Sequence, residues 1–286
     1  MRRHGSVRSA VGFGPSEHLG WGYVNRAEFR YRAAEYIGDG LARNEWILFV
    51  GAASRAALRA ELADLGFSEG VRSGQIWVAP VEDYYTFRPG SDVVDPQAMM
   101  TRGIATLEEL LATGCPGCRA VVDGTAVAHT PEQRDALARF EFLTDRTMTM
   151  LPVSALCTYD VTVLGAAAKE LLCLHPLTNA GAVGFQLYAE RDSGFALSGE
   201  IDADEDHAFT AAFRRIWPLM AQTELVIDAE GLRFVTHRQL IALDEQARAD
   251  GREVILRTGQ RVVTRLAELL GLDNVRVEAA ADRRHA

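Results

Sequence analysis

The chain has 286 residues, 48% of them apolar and 24% charged, with a formal net charge of −9. That length carries two ordinary domains, and the acidic balance argues against a general nucleic-acid binder, which needs clustered Lys and Arg against phosphate. Lys169 is the only lysine, so no G-x-x-x-x-G-K-[ST] phosphate loop can be written. No apolar run reaches the roughly 20 residues of a membrane-spanning helix.

The opening MRRHGSVRSAVGFG is basic but lacks the apolar core of a signal peptide, so residues 1–14 read as a flexible leader and the protein as cytoplasmic. A helix is predicted at AEFRYRAAEYIGDGLARN, followed by a buried strand at EWILFVG. SRAALRAELADLG is a helix ended by Gly66 as its C-terminal cap. IWVAPVEDYY reads as strand then loop, and DPQAMMTRGIATLEELLATG as a helix started by Asp95 and Pro96. Cys115 and Cys118 form CPGC, a spacing used in redox and zinc sites. Here it lies between that helix and the strand RAVVDG, away from any helix N-terminus, and so reads as a turn. The four cysteines, with Cys157 and Cys173, are expected to be reduced.

His129 precedes Thr130, a predicted N-cap that forms a capping box with Gln133 at the head of PEQRDALARFEFLTDRTMTML. PVSALCTYD is a further buried strand and VLGAAAKELLCLH a helix. This alternation predicts an α/β fold, a three-layer domain on a mainly parallel sheet. TNAGAVG, residues 178–184, has the composition of a linker. Beyond it, FQLYAERDSGFALSGEID reads as a hairpin turning at Asp192, Ser193 and Gly194. DEDHAFTAAFRRIWPLMA is a helix with acidic residues at its positive end. TELVIDAEGLRFV is a central strand and the loop after it.

His18 followed by Tyr23, the strand VSALCTYD and the pair His175-Pro176 resemble the MEDS domain of methanogen and methylotroph sensory proteins, over residues 15–180. ALCTYD followed by LHPL is the specific part, and Val24 stands where the family usually has an acidic residue. The resemblance implies a RecA- or KaiC-like fold without a working nucleotide site and a pocket for an unknown small molecule. Its matched positions are His18, Tyr23, Cys157, Tyr159, Asp160 and His175, near the carboxyl ends of strands where open α/β sheets bind ligands. No cofactor is implied. No metal is expected either, because His18, Cys157 and His175 show no local ligand spacing. The plain structural reading of these residues is a helix-ending His before Pro and a small buried Cys. An alternative is a thiol-dependent enzyme or redox sensor using Cys157 with His18 or His175 as base.

The order FALSGEID, TELVIDAEGLRF, VTHRQLIALDEQARADGREVILRTG and VVTRLAELLGLDNV resembles the STAS domain of anti-sigma-factor antagonists, over residues 184–286. It implies a β-sheet with packed helices, no catalytic residue, and binding of an anti-sigma factor or related kinase, with homo-oligomerisation as a further option. In that family a D-S-S-G segment carries the phosphorylated serine. Here the segment is Thr236-His237-Arg238-Gln239, so the expected partner-binding residues lack the serine, and the standard phosphorylation switch cannot operate at His237. The combined expectation is a two-domain signalling regulator. Ligand in the first domain would shift the arrangement of the two and so expose or cover helix 236–249.

Overall fold

The structure, a computed structural model, describes residues 2–191 and 194–279. The expected turn residues Asp192 and Ser193 lie outside the described residues. The first unit runs β1 (Gly5–Val7), β2 (His18–Tyr23), α1 (Arg26–Ala42), β3 (Trp46–Gly51), α2 (Arg55–Asp64), α3 (Ser68–Ser73) and β4 (Ile76–Pro80). It continues with α4 (Val81–Tyr84), α5 (Pro96–Ala112), β5 (Cys118–Asp123), α6 (Pro131–Met148), β6 (Val153–Asp160), α7 (Val161–Leu164), α8 (Lys169–Leu172) and β7 (Leu177–Asn179).

These seven strands form one sheet in the order β1-β7-β2-β6-β5-β3-β4, parallel at every pairing. Strands such as WILFVG and VSALCTYD are apolar on both faces because helices cover both sides. One core layer joins Leu19, Trp21, Phe49 and Leu156 to Phe29 and Tyr36 of α1 and Leu58 of α2. The other joins Val122, Ala155 and Cys157 to Met99 of α5, Leu137 of α6 and Leu171 of α8. This is the three-layer α/β architecture that the sequence predicts.

Local expectations change as well: the loop expected after IWVAP begins as the short helix α4. The leader is built into the fold: Gly5–Val7 pair with Leu177–Asn179, Ala10 and Phe13 are buried, and Arg2 bonds Asp145 at 2.7 Å. A three-residue edge strand is held by tertiary pairing and leaves no periodicity to read. The linker is also structured. Its first residues lie in β7, where Asn179 bonds the amide and carbonyl of Gly22 at 2.8 and 2.9 Å. The helix expected at VLGAAAKELLCLH breaks at Gly165, whose φ of +57° cannot continue a right-handed α-helix, into α7, a 3₁₀ turn and α8.

The second unit runs β8 (Phe185–Tyr188), β9 (Phe195–Ile201), α9 (Asp206–Ile216), β10 (Glu224–Asp228), β11 (Leu232–Val235), α10 (His237–Ala249), β12 (Glu253–Arg257), α11 (Arg261–Leu270) and β13 (Val275–Glu278). β8 and β9 are antiparallel, as a hairpin requires, and β9 is parallel to both β10 and β11. The loop expected after the central strand thus forms a strand of its own. β12 and β13 extend the sheet in parallel.

The units share one hydrophobic core, in which Leu171 and Leu174 belong to the same cluster as Phe185, Phe209 and Phe213. Polar contacts fix the join. The Leu187 amide donates to the Cys173 carbonyl at 2.6 Å, Lys169 pairs with Glu205 at 2.7 Å, and Arg215 pairs with Glu170 at 2.7 Å and with Asp135. A shared core ties their unfolding together. Phe185→Ala is therefore expected to cost about 3–5 kcal/mol and to lower one thermal transition of the whole chain; calorimetry resolving two independent transitions would contradict this.

Candidate functional site

Strand alternation turns His18 and Gly20 of β2, and Cys157 and Tyr159 of β6, toward the sheet face covered by α6. That helix starts at the expected capping box, with Thr130 accepting from Gln133 and Gln133 answering. Leu137, Glu141, Asp145 and Met148 follow at helical spacing and all are buried. His175 comes three residues after α8, and its ring lies against Gly20. A Cβ at that glycine would stand 2.8 Å from the ring, so only glycine lets the histidine in.

Glu141 is the hub of the cluster. Its Oε1 accepts from Tyr159 Oη at 2.8 Å. Its Oε2 lies 3.3 Å from His18 Nε2, 3.6 Å from His175 Nε2 and 3.5 Å from Cys157 Sγ. His18 Nε2 is 3.4 Å from Cys157 Sγ, and His18 Nδ1 meets Asp145 Oδ1 at 3.2 Å. The two imidazole rings are tilted at a centroid separation of 4.1 Å. His175 Nδ1 faces the carbonyls of Leu171 and Leu172 at 3.1 and 3.3 Å, which makes Nδ1 the protonated nitrogen. Its buried Nε2 has no hydrogen-bond partner.

Burial pushes Glu141 toward protonation, yet the neighbouring imidazoles more than reverse this and hold its carboxyl well below the usual carboxylate range. His18 is raised, because Asp145 and Glu141 outweigh the burial that opposes its charge. His175 is lowered by burial and by the charge on His18. Burial, then the Glu141 charge, pushes the thiol of Cys157 and the phenol of Tyr159 well above their ordinary values.

A cavity of about 300 Å³ lies between α5, α6 and the sheet. Its walls are mostly apolar and include Trp46, Trp77, Met99, Phe140 and Met148, and Glu141 and Cys157 also line it. The cluster and the cavity therefore share two residues.

The structure thus brings together His18, Cys157, Tyr159 and His175 from the predicted set, and leaves two members out. Tyr23 lies on the opposite sheet face, in the core layer of α1, and donates to Asp123 at 2.9 Å. Asp160 caps α7, accepting from the amide and hydroxyl of Thr162 at 2.9 and 2.6 Å. Glu141 and Asp145 are the residues that sequence reasoning missed. Their signal was present: two acids four apart, in register with Leu137 on the apolar stripe of a helix.

Elsewhere, Cys115 Sγ bonds the Gly117 carbonyl at 3.1 Å in the turn before β5, and burial pushes the Cys118 thiol up to about 12. A redox-active pair needs the opposite shift. The hollow beside the β3–α2 loop is bordered by Glu61, Asp64 and Asp123, and Arg26 there pairs with Glu61 and Asp123. This is poor ground for a phosphate. In the second unit, Thr236 caps α10 and Gln239 completes a capping box. Gln239 is buried and donates to Asp206, so of the four expected contact residues His237 and Arg238 are the exposed ones.

The sequence model of the family described as "MEDS: MEthanogen/methylotroph, DcmR Sensory domain" matches residues 17–176, more than half of the chain. The chain belongs to that family. Among solved structures, a KaiC-like protein from the hyperthermophilic archaeon Pyrococcus horikoshii is similar at 21% identity and a TM-score of 0.37, over 55% of this chain and 71% of that one. No curated protein matches.

The close approach at Gly20 gives a direct check. Gly20→Ala is expected to destabilise the protein by about 1–3 kcal/mol through overpacking against His175. Gly38→Ala, on a helix with open space at its Cβ, is expected to stabilise it by about 0.4–1 kcal/mol. Denaturant unfolding of the two variants measures both.

Proposed function

We propose that this member of the MEDS family is a signalling protein whose first unit senses a small, largely apolar molecule and whose second unit passes the state on by binding a partner protein. The observation that carries the reading is the apolar cavity whose wall includes Glu141 and Cys157 of a buried polar cluster. Ligand pockets combine apolar walls with a few placed polar groups in this way. A volume near 300 Å³ suits a compact molecule of one or two rings, since a cavity of about 150 Å³ already holds benzene.

The join between the units supports transmission. α6 presents Glu141 to the cavity, and one turn later Asp145 accepts from the Ala189 amide at 2.8 Å, just after β8. A ligand that binds one position of α6 better than another shifts the population by that difference in affinity. For the second unit, the strand and helix order supports a STAS-like binding module, with Phe234, His237 and Arg238 exposed around the start of α10. The proposed partner is an anti-sigma factor or related kinase, bound without serine phosphorylation because His237 stands at the serine position.

Thiol chemistry at Cys157 finds less support. Burial and the Glu141 charge keep the proton on sulfur, whereas a nucleophile needs a depressed pKa or a base free to take the proton.

The cavity is tested with thermal shift against small apolar probes such as toluene and indole, using wild type and Ala120→Phe. Ala120 lines the cavity wall, so phenylalanine there fills it. A bound probe at a hundred-fold excess over its Kd adds about 2.7 kcal/mol of stability. The expected result is a melting point raised in wild type and unmoved in Ala120→Phe; equal shifts in both proteins, or none in wild type, would remove the sensing assignment from this cavity. For the partner surface, Arg238→Glu is expected to reduce capture of an anti-sigma-type kinase by at least about tenfold, the scale on which reversing an interfacial charge acts. Undiminished capture would place the interface elsewhere.

A further inference from the structure

We propose that His18, Glu141, Cys157 and His175 form a tetrahedral site for a zinc-type divalent cation. One donor atom from each of these buried residues lies within 4.8 Å of the others. Zinc bonds of about 2.0–2.3 Å in tetrahedral array place neighbouring donors roughly 3.3–3.6 Å apart. Four of the six edges are 3.3 Å (His18 to Glu141), 3.6 Å (His175 to Glu141), 3.4 Å (His18 to Cys157) and 3.5 Å (Cys157 to Glu141), and the other two, from His175 to His18 and to Cys157, lie within 4.8 Å.

The outer contacts orient the donors as a metal requires. A ligating imidazole usually gives its second nitrogen to a carboxylate or backbone carbonyl, which fixes the ring. His18 Nδ1 meets Asp145 and His175 Nδ1 meets the Leu171 carbonyl, so both Nε2 atoms turn to the centre. Tyr159 occupies the other carboxylate oxygen of Glu141 and leaves Oε2 for the cation. The orphaned His175 Nε2 is a buried acceptor facing a carboxylate oxygen, an unfavourable pairing that a cation between them removes.

Charge and softness fit as well. Two neutral imidazoles, one carboxylate and one thiolate balance a divalent ion. On binding, the cation displaces the Cys157 thiol proton and the His18 Nε2 proton to solvent. A donor set of two nitrogens, one sulfur and one oxygen favours zinc and its neighbours over magnesium or calcium, which want oxygen alone. Four protein donors close the coordination sphere, the pattern of a structural site. The inference stands independently of the sensing reading.

The test uses the full chain, freed of metal by chelation and then titrated with zinc or cobalt. One equivalent per chain is expected, and the cobalt form should show a thiolate-to-metal charge-transfer band with intense tetrahedral d–d absorption. Cys157→Ser should lose the charge-transfer band, Cys115→Ser should keep it, and Asp145→Asn should weaken binding about 10–100-fold. X-ray absorption on zinc-loaded wild type gives a reading independent of any variant's folding, with one sulfur and three nitrogen or oxygen neighbours expected. Failure of the folded wild-type chain to bind a stoichiometric ion, a shell without sulfur, or a thiolate band that survives Cys157→Ser would overturn the assignment.

Discussion

The carboxylate of Glu141 is buried among apolar side chains on a helix that packs against both halves of the molecule. A charge in such a place costs several kcal/mol unless every lone pair finds a partner. Here four partners come from three segments far apart in the chain: His18 on β2, Cys157 and Tyr159 on β6, and His175 beyond α8. The first sheet must bring β2 beside β6, and α8 must return over β2, before the carboxylate is satisfied. Gly20 and Gly22 follow from that demand. They thin the β2 surface where His175 and Leu172 approach, with Cβ positions only 2.8 Å and 3.2 Å from those side chains.

The same helix limits how the two units can communicate. They are not separate bodies on a tether, because residues 177–183 are strand and tight turn and the core runs across the join. A close-packed interior resists gradual deformation and moves between discrete packings. Any response to a ligand therefore has to repack the contacts of α6 and α8 with α9, a change inside one shared core. This replaces the picture of two domains swinging about a flexible linker.

Much of this was legible in the residues, and the failures have physical causes. Strands such as EWILFVG announced themselves as unbroken apolar runs, and Thr130-Gln133 and Asp95-Pro96 announced helix starts. HLGWGY did not, because two glycines interrupt the apolar run that marks a buried strand, although they are what admits His175. Tyr23 and Asp160 enter the expected pocket as positions matched by the family resemblance. Parity separates them: Tyr23 is an odd number of residues from His18, and Asp160 from Cys157, so each falls on the other face of its strand. Glu141 and Asp145 were hidden in the opposite way, as ordinary charges on a helix. Only their register with Leu137 and Met148 shows that they point inward.

The lone lysine and the start of α10 meet at α9. Lys169 holds Glu205 at the start of this helix, and Arg215 in its last turn pairs with Glu170 and Asp135. Both ends of α9 are thus bound to the first unit. Asp206, its first residue, accepts from Gln239, the residue that closes the capping box of α10. In the proposed STAS-like reading, α10 is the helix at whose start a phosphorylated antagonist would carry its controlling charge. The start of α10 is tied through Asp206 to a helix gripped by the first unit, and the exposed Arg238 lies beside it. A shift of α9 would move Gln239 and with it the exposed His237 and Arg238, so the geometry of the proposed partner surface follows the packing of α6 without any change of charge.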